Sequence, residues 1–156
     1  MLSQKVLINW NWRVFINFGI ILIMKSTTRI AGIVTQNSNI LMLRGKGYKE
    51  FWTPGGKIKE GESDEECLKR EFKEEIGVSI ANVKFFKEYE GESFYLPGLK
   101  LIQRLYLVKI LGDIRPDAEI EDFVWLTKED FFKKKYIILP IDEGKVIPDL
   151  IEQGFF

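Results

Sequence analysis

Glu71, Glu74 and Glu75 are spaced i, i+3 and i+4, which on a helix puts three carboxylates on one face. Like charges at these spacings cost a helix about 0.2–0.5 kcal/mol per pair. A hard divalent cation would turn that repulsion into coordination, because such ions prefer carboxylate oxygens and water. Three glutamates alone more often make a solvated acidic face. The flanking residues argue for chemistry instead. Thr53-Pro54-Gly55-Gly56 leads toward the acidic segment, and its glycines let main-chain carbonyls approach an ion closely. Glu62 adds a carboxylate where that loop meets the helix. Arg70, one turn before Glu74, is placed to hold it by a charge-assisted hydrogen bond.

The elements that must position these residues follow from pattern. Ser63 with Glu66 forms a capping box and Gly77 a C-terminal stop, so a helix is predicted between them. Leu68, Phe72 and Ile76 recur every four residues and give it one buried stripe, turned away from the carboxylates. Upstream, Arg29 to Thr35 and Ile40 to Leu43 read as strands joined by a turn at Gln36-Asn37-Ser38-Asn39. Gly45 and Gly47 open a loop, and Pro54-Gly55-Gly56 is expected as a second break. Further strands are expected at Val83 to Tyr89, Leu101 to Leu111 and Phe123 to Leu126, then a short helix after Thr127. A last helix over Glu143 to Gln153 would be interrupted by Pro148. Strands with few helices predict an α+β fold, a mixed sheet with helices packed on it.

Composition excludes several functions. A chain of 156 residues, 46% hydrophobic and 29% charged, fits one ordinary globular domain. Lys+Arg and Asp+Glu balance at 23 each, so no net charge draws it to a nucleic acid polymer. With 0 histidines, Ser-His and Cys-His catalysis and imidazole-bound metals are all excluded. The single cysteine, Cys67, rules out an intrachain disulfide and fits a reducing cytoplasm. Whatever chemistry occurs must run on carboxylates, lysines, tyrosines or hard metal ions.

Residues 56 to 78 resemble the Nudix box, G-x5-E-x7-R-E-U-x-E-E-x-G-U with U bulky and apolar, at every fixed position. Gly56, Glu62, Arg70, Glu71, Phe72, Glu74, Glu75, Gly77 and Val78 fill it in order. The flanking sequence looks Nudix-like from about Thr27 to Leu126. The resemblance implies a Nudix-type α/β/α sandwich and Mg²⁺-dependent cleavage of a diphosphate linkage, with Mn²⁺ as a substitute ion. It implies metal binding by Glu71, Glu74, Glu75 and the Gly55 carbonyl, support from Gly56 and Glu62, and orientation of the glutamates by Arg70. Glu119, six residues before Trp125, is similar to the further acid of MutT-type members and is the candidate second-metal ligand or base. Glu121 and Asp122 stay open as alternatives to it.

The resemblance implies a nucleotide-like small molecule as substrate, and the compact layout favours a MutT-like nucleoside triphosphate pyrophosphatase. Dinucleoside polyphosphates, ADP-ribose and nucleotide sugars remain alternatives, as does a binding-only regulator. Trp52 and Tyr95, among the aromatics Tyr48, Phe51 and Phe94, are candidates to stack on a base, and Arg44, Lys46 and Lys49 to meet phosphates. Cys67 reads as a structural helix residue rather than an isomerase-type catalytic one. Met1 to Lys25 form an apolar N-terminal extension before a domain over 26–156, with Met24 expected as the working start. Its run from Val14 to Met24 is too short for a bilayer span, which needs about 20 residues, so no membrane is expected. A homodimer is the default assembly.

Overall fold

The computed structural model describes residues 11–17, 20–117 and 119–156, with side chains from residue 26 onward except 118. The expectation for the extension therefore falls largely outside the described residues. In chain order the strands are β1 (Asn11–Asn17), β2 (Ile20–Ile33), β3 (Thr35–Gln36), β4 (Asn39–Gly45), β5 (Glu50–Phe51) and β6 (Gly55–Lys57). Helix α1 (Asp64–Ile76) follows, then β7 (Ser79–Glu92), β8 (Lys100–Leu111) and β9 (Ile120–Leu126). The chain ends with α2 (Lys128–Phe132), β10 (Ile137–Ile138), a π-helical turn at Asp142–Val146 and α3 (Ile147–Glu152).

The main sheet runs β1-β2-β8-β7, with β6 also paired to β2. It is mixed: β2 and β8 are parallel, while the β1–β2, β2–β6 and β7–β8 pairs are antiparallel. A second antiparallel sheet runs β3-β4-β9, and β5 pairs in parallel with β10. The turn between β3 and β4 uses positive φ at Asn37 (50°) and Ser38 (60°), as a tight hairpin demands.

Strand alternation divides the apolar residues between two cores. Ile30, Val34, Leu41 and Leu43 face α1 and pack with Cys67, Leu68, Phe72 and Ile76. Their neighbours Ala31, Ile33, Ile40 and Met42 face the other way, against Phe131, Ile141, Val146, Ile147 and Leu150 of the C-terminal segment. The sheet is thus covered on both faces, the α/β/α sandwich expected. Among the described residues no helix is long and apolar enough to cross a membrane.

Helix α1 starts and stops where its sequence says. Ser63 accepts from the Glu66 N–H and the Glu66 side chain reciprocates, while Gly77 ends it in the left-handed conformation at φ 71°. Three expectations change. Gly55–Lys57 is a strand, because Gly55 at φ 134° lets the chain lie flush against Ile30 and Ala31 of β2. A Cβ on Gly55 would stand 2.2 Å from the Ile30 carbonyl oxygen. The strand expected from Val83 begins at Ser79, its pairing with β8 shifted at two irregularities that period-two reading cannot follow. Pro148 does not interrupt the last helix; it sits in the first turn of α3, after the wider π turn in which Ile147 N–H reaches Asp142 O.

Gly32 sets how closely α1 approaches the sheet. A Cβ there would fall 2.5 Å from Phe72 Cζ and 3.1 Å from Val108 Cγ2. Gly32→Ala should lower stability by about 1–3 kcal/mol in urea unfolding, because a fully packed core must shift to admit a methyl group. Gly144→Ala, with nothing within 4 Å of the added carbon, is the control and should be near neutral.

Candidate active site

Helix α1 carries the acidic residues across the sheet edge formed by β6. Phe72, Leu68 and Ile76 are fully buried, so the helix cannot rotate, and Glu71 and Glu75 are pressed toward the Gly55-Gly56 backbone. The acidic face is therefore only partly solvated. Glu74 is exposed, whereas the Glu71 side chain retains 15% of its exposure. Gly56 makes room for Glu71: a Cβ on it would lie 2.3 Å from the Glu71 carboxyl carbon. Glu75 turns to the strand, accepting from Gly55 N at 2.9 Å.

Arg70 is the hub of the acidic cluster. Its guanidinium forks onto Glu62 (Nε–Oε1 2.7 Å, Nη2–Oε2 2.9 Å) and also reaches Glu71 Oε1 at 2.5 Å. The expected Arg70–Glu74 contact exists but is the longest of the set, 3.2 Å. A further bond from Nη2 to the Lys57 carbonyl at 3.2 Å ties helix to strand. The Arg70 hydrogen bonds hold Glu62 down to a pKa of about 2. Burial raises Glu71, against the pull of Arg70. Burial pushes Glu75 up to about 8, opposed by the Arg29 charge and the Gly55 N–H and reinforced by Glu71.

A cavity of about 720 Å³ opens beside Glu75 on the face of the sheet opposite α1. Its lining includes Arg29, Gln103 and Leu101 from β2 and β8, the aromatics Trp52, Phe94 and Tyr95, and Leu139, Pro140, Ile141 and Lys145 of the C-terminal segment. Gly55, Glu75 and Lys57 line it as well. Of the residues expected at the substrate, Trp52 and Tyr95 line it. Arg44 does not: it is paired to Glu121 at 2.6 Å and Asp122 at 3.5 Å, with its guanidinium over the Phe51 ring. That pairing occupies both acids that compete with Glu119. Glu119 itself is exposed in the turn before β9, where its carbonyl accepts from Lys46 N at 2.9 Å. Cys67 is buried and burial pushes its thiol to about 12, so it is inert.

Sequence reading missed Arg29 and Gln103. Arg29 bonds the Gly55 carbonyl at 3.0 Å and also the Thr53 carbonyl, and Gln103 is 99% shielded beside it. The signal available was a polar residue abutting an apolar run, as in Arg29-Ile30-Ala31 and Leu101-Ile102-Gln103.

The donor set suits a hard divalent cation. Glu71, Glu74, Glu75 and the Gly55 carbonyl offer only oxygen, and the negative charges raise one another's pKa: Glu74 raises Glu71, and Glu71 raises Glu75. The two glycines leave the space in which these oxygens approach the main chain. As they lie, no three acidic side chains among the described residues are close enough to cage an ion. Arg70 holds Glu71, and Gly55 N–H holds Glu75.

Comparison with known proteins identifies the family and the fold. The NUDIX domain model matches residues 26–150. The chain is 30% identical over 137 residues to the 8-oxo-dGTP diphosphatase of Buchnera aphidicola subsp. Schizaphis graminum, covering 85% of this chain and 99% of that one. It is 32% identical over 98 residues to the NAD-capped RNA hydrolase NudC of Pseudomonas aeruginosa, but spans only 34% of that protein. Among solved structures, a MutT from a study of Aliivibrio salmonicida and Vibrio cholerae superposes with a TM-score of 0.63 at 24% identity, covering 83% of this chain and 99% of that one. A UDP-X diphosphatase gives 0.69 at 18% identity, covering 84% and 64%.

Because Glu62 is held below its ordinary 4.5, its pairing with Arg70 stabilises the fold above that pH and is lost as the pH falls through about 2. Glu62→Gln should therefore unfold at a lower temperature than wild type near pH 7. The gap should narrow steadily on acidification below pH 4.5, as melts across the range would reveal. A gap independent of pH would mean that the pair does not carry this stability.

Proposed function

The chain belongs to the Nudix hydrolase family, and from that premise we propose that it hydrolyses a nucleoside triphosphate to the monophosphate and pyrophosphate, as a Mg²⁺-dependent cytoplasmic enzyme. The observation that carries the reading is the meeting of Glu75 and Gly55 with a cavity walled by Trp52, Phe94 and Tyr95. A planar base against those aromatics puts the phosphates toward the acidic edge. The relative matched over 99% of its length is an 8-oxo-dGTP diphosphatase, which favours canonical or oxidised (d)NTPs over larger substrates.

Glu71, Glu74, Glu75 and the Gly55 carbonyl are the proposed donors to the ion, with Glu119 as a further one. When bound, Mg²⁺ neutralises the phosphate oxygens and acidifies the attacking water. Lys57 and Lys145, which line the cavity, add positive charge toward the phosphates. A water oxygen bonds to phosphorus as the bridging P–O bond breaks, and pyrophosphate departs with the bond electrons. In the absence of histidine a carboxylate must take the water's proton, and Glu75 is the box acid that lines the cavity. Arg70 keeps Glu71 from turning away into solvent and reaches the exposed Glu74.

Pyrophosphate release should be read across (d)NTPs, oxidised dNTPs, diadenosine polyphosphates, ADP-ribose and nucleotide sugars, with and without Mg²⁺. A triphosphate class should stand above the rest, EDTA should abolish turnover, and Mn²⁺ should restore it in part. Glu74→Gln and Glu75→Gln should each lower kcat at least ~100-fold with folding intact. Near-normal turnover in both variants would remove the assignment. Preference for a nucleotide sugar or dinucleotide would move the substrate class but keep the chemistry.

A further inference from the structure

Thr53, Gln103 and Asp142 are the buried polar side chains among the described residues, and they bond one another. A carboxylate withdrawn from water is costly unless donors take its oxygens. Asp142 is supplied with three: Thr53 N at 2.9 Å, Thr53 Oγ1 at 3.2 Å and Gln103 Nε2 at 2.7 Å. The nearby positive charge is Arg29, which reaches the same two residues from the other side. Its Nη1 donates to Thr53 Oγ1 at 3.3 Å and to Gln103 Oε1 at 3.4 Å.

Arg29 Nη2 donates to the Thr53 and Gly55 carbonyls. Thr53 is thus gripped by an anion at its N–H and by a cation at its carbonyl. Beyond it, the Pro54 carbonyl accepts from Gly32 N at 2.8 Å, and Gly55 N donates to Glu75 at 2.9 Å. Every main-chain polar group from Thr53 N to Gly55 O has a specified partner, which is the condition for a loop of one conformation. Asp142 lies 89 positions along the chain from Thr53 and directly follows Leu139, Pro140 and Ile141, which line the cavity while Asp142 itself is buried behind them.

We propose that Asp142 is a positioning residue: acting through Thr53 and Arg29, it sets the Gly55 carbonyl, and through the Gly55 N–H the Glu75 carboxylate, to receive a divalent cation. It touches neither substrate nor ion. The proposal rests on the reading of Gly55 and Glu75 as donors to that cation. The cavity wall and the cation-binding edge become one connected unit, so a substrate seated against Ile141 meets donors already aligned.

Asp142→Asn deletes the charge and keeps the shape, since a flipped Gln103 amide can still bond the new side chain. Mn²⁺ binding by electron paramagnetic resonance, on the full chain without substrate, tests the idea independently of turnover. Asp142→Asn and Arg29→Gln should each weaken Mn²⁺ by about tenfold, as loss of an outer partner of a metal ligand does. The double variant should be little worse than either, because both act through one grip on Thr53. With the substrate that is turned over, kcat should fall while KM stays near wild type. Thr53→Val, which removes only the bridging hydroxyl, should act in the same direction and serves if Asp142→Asn does not fold. Folded single variants that bind Mn²⁺ like wild type, or losses that multiply in the double variant, would overturn the proposal. Wild-type protein that takes up no Mn²⁺ would remove the donor assignment itself, and the proposal with it.

Discussion

The Arg70 guanidinium is the interaction on which the rest depends. Four glutamates crowd the start and one face of α1 and the segment before it, and without a cation their repulsion would splay the loop from the helix. Arg70 takes Glu62 as a two-pronged partner, holds Glu71 beside it and reaches Glu74, while its bond to the Lys57 carbonyl fastens helix to strand. A planar fork can satisfy several acceptors at once in fixed directions, which a lysine cannot. The result is an acidic cluster whose side chains are kept in order by a cation of the protein itself.

That cluster would be useless if α1 were free to roll. Its apolar stripe is buried to the last residue, and Phe72 packs over Gly32, where even one methyl group would collide. Close packing of this kind has little compressibility, so the helix and β2 move as one body. The same closeness recurs at Gly55 and Gly56, where the absence of side chains lets strand β6 lie on β2 and lets Glu71 lie on the main chain. Glycine here supplies proximity, and proximity is what turns surface glutamates into a site.

The site lies at the seam between the two cores. One core fixes α1 and packs against Trp52; the other, built with the C-terminal segment, holds Leu101 and Ile141 at the cavity. Thr53-Pro54-Gly55 crosses between them, held from β2 by Arg29 and Gly32 and from the C-terminal wall by Asp142. A buried carboxylate satisfied by neutral donors adds little net stability, but it fixes geometry, because any other arrangement leaves the Asp142 charge without partners out of water.

How much of this was legible without coordinates divides along the range of the interaction. Capping box, C-terminal glycine, apolar stripe and the i, i+3, i+4 carboxylates are local patterns, and α1 with its acidic face was read from them alone. The histidine-free composition confined the chemistry to carboxylates, lysines, tyrosines or hard metal ions. What the chain order hid were partners distant in sequence. Arg70 was expected to hold Glu74, yet its shortest and most numerous bonds go to Glu62, eight positions back around the loop, and to Glu71. Arg44 looked available for phosphates until β9 brought Glu121 and Asp122 against it, 77 and 78 positions away. The Arg29–Thr53–Gln103–Asp142 network joins four segments whose residue types say nothing of one another. Periodicity and capping report the few residues around a position, so the sequence by itself determined the helix and the carboxylates it carries on one face. Which charges pair, and which carbonyl they hold in place, depends on strands meeting across the fold, and only the tertiary structure decided it.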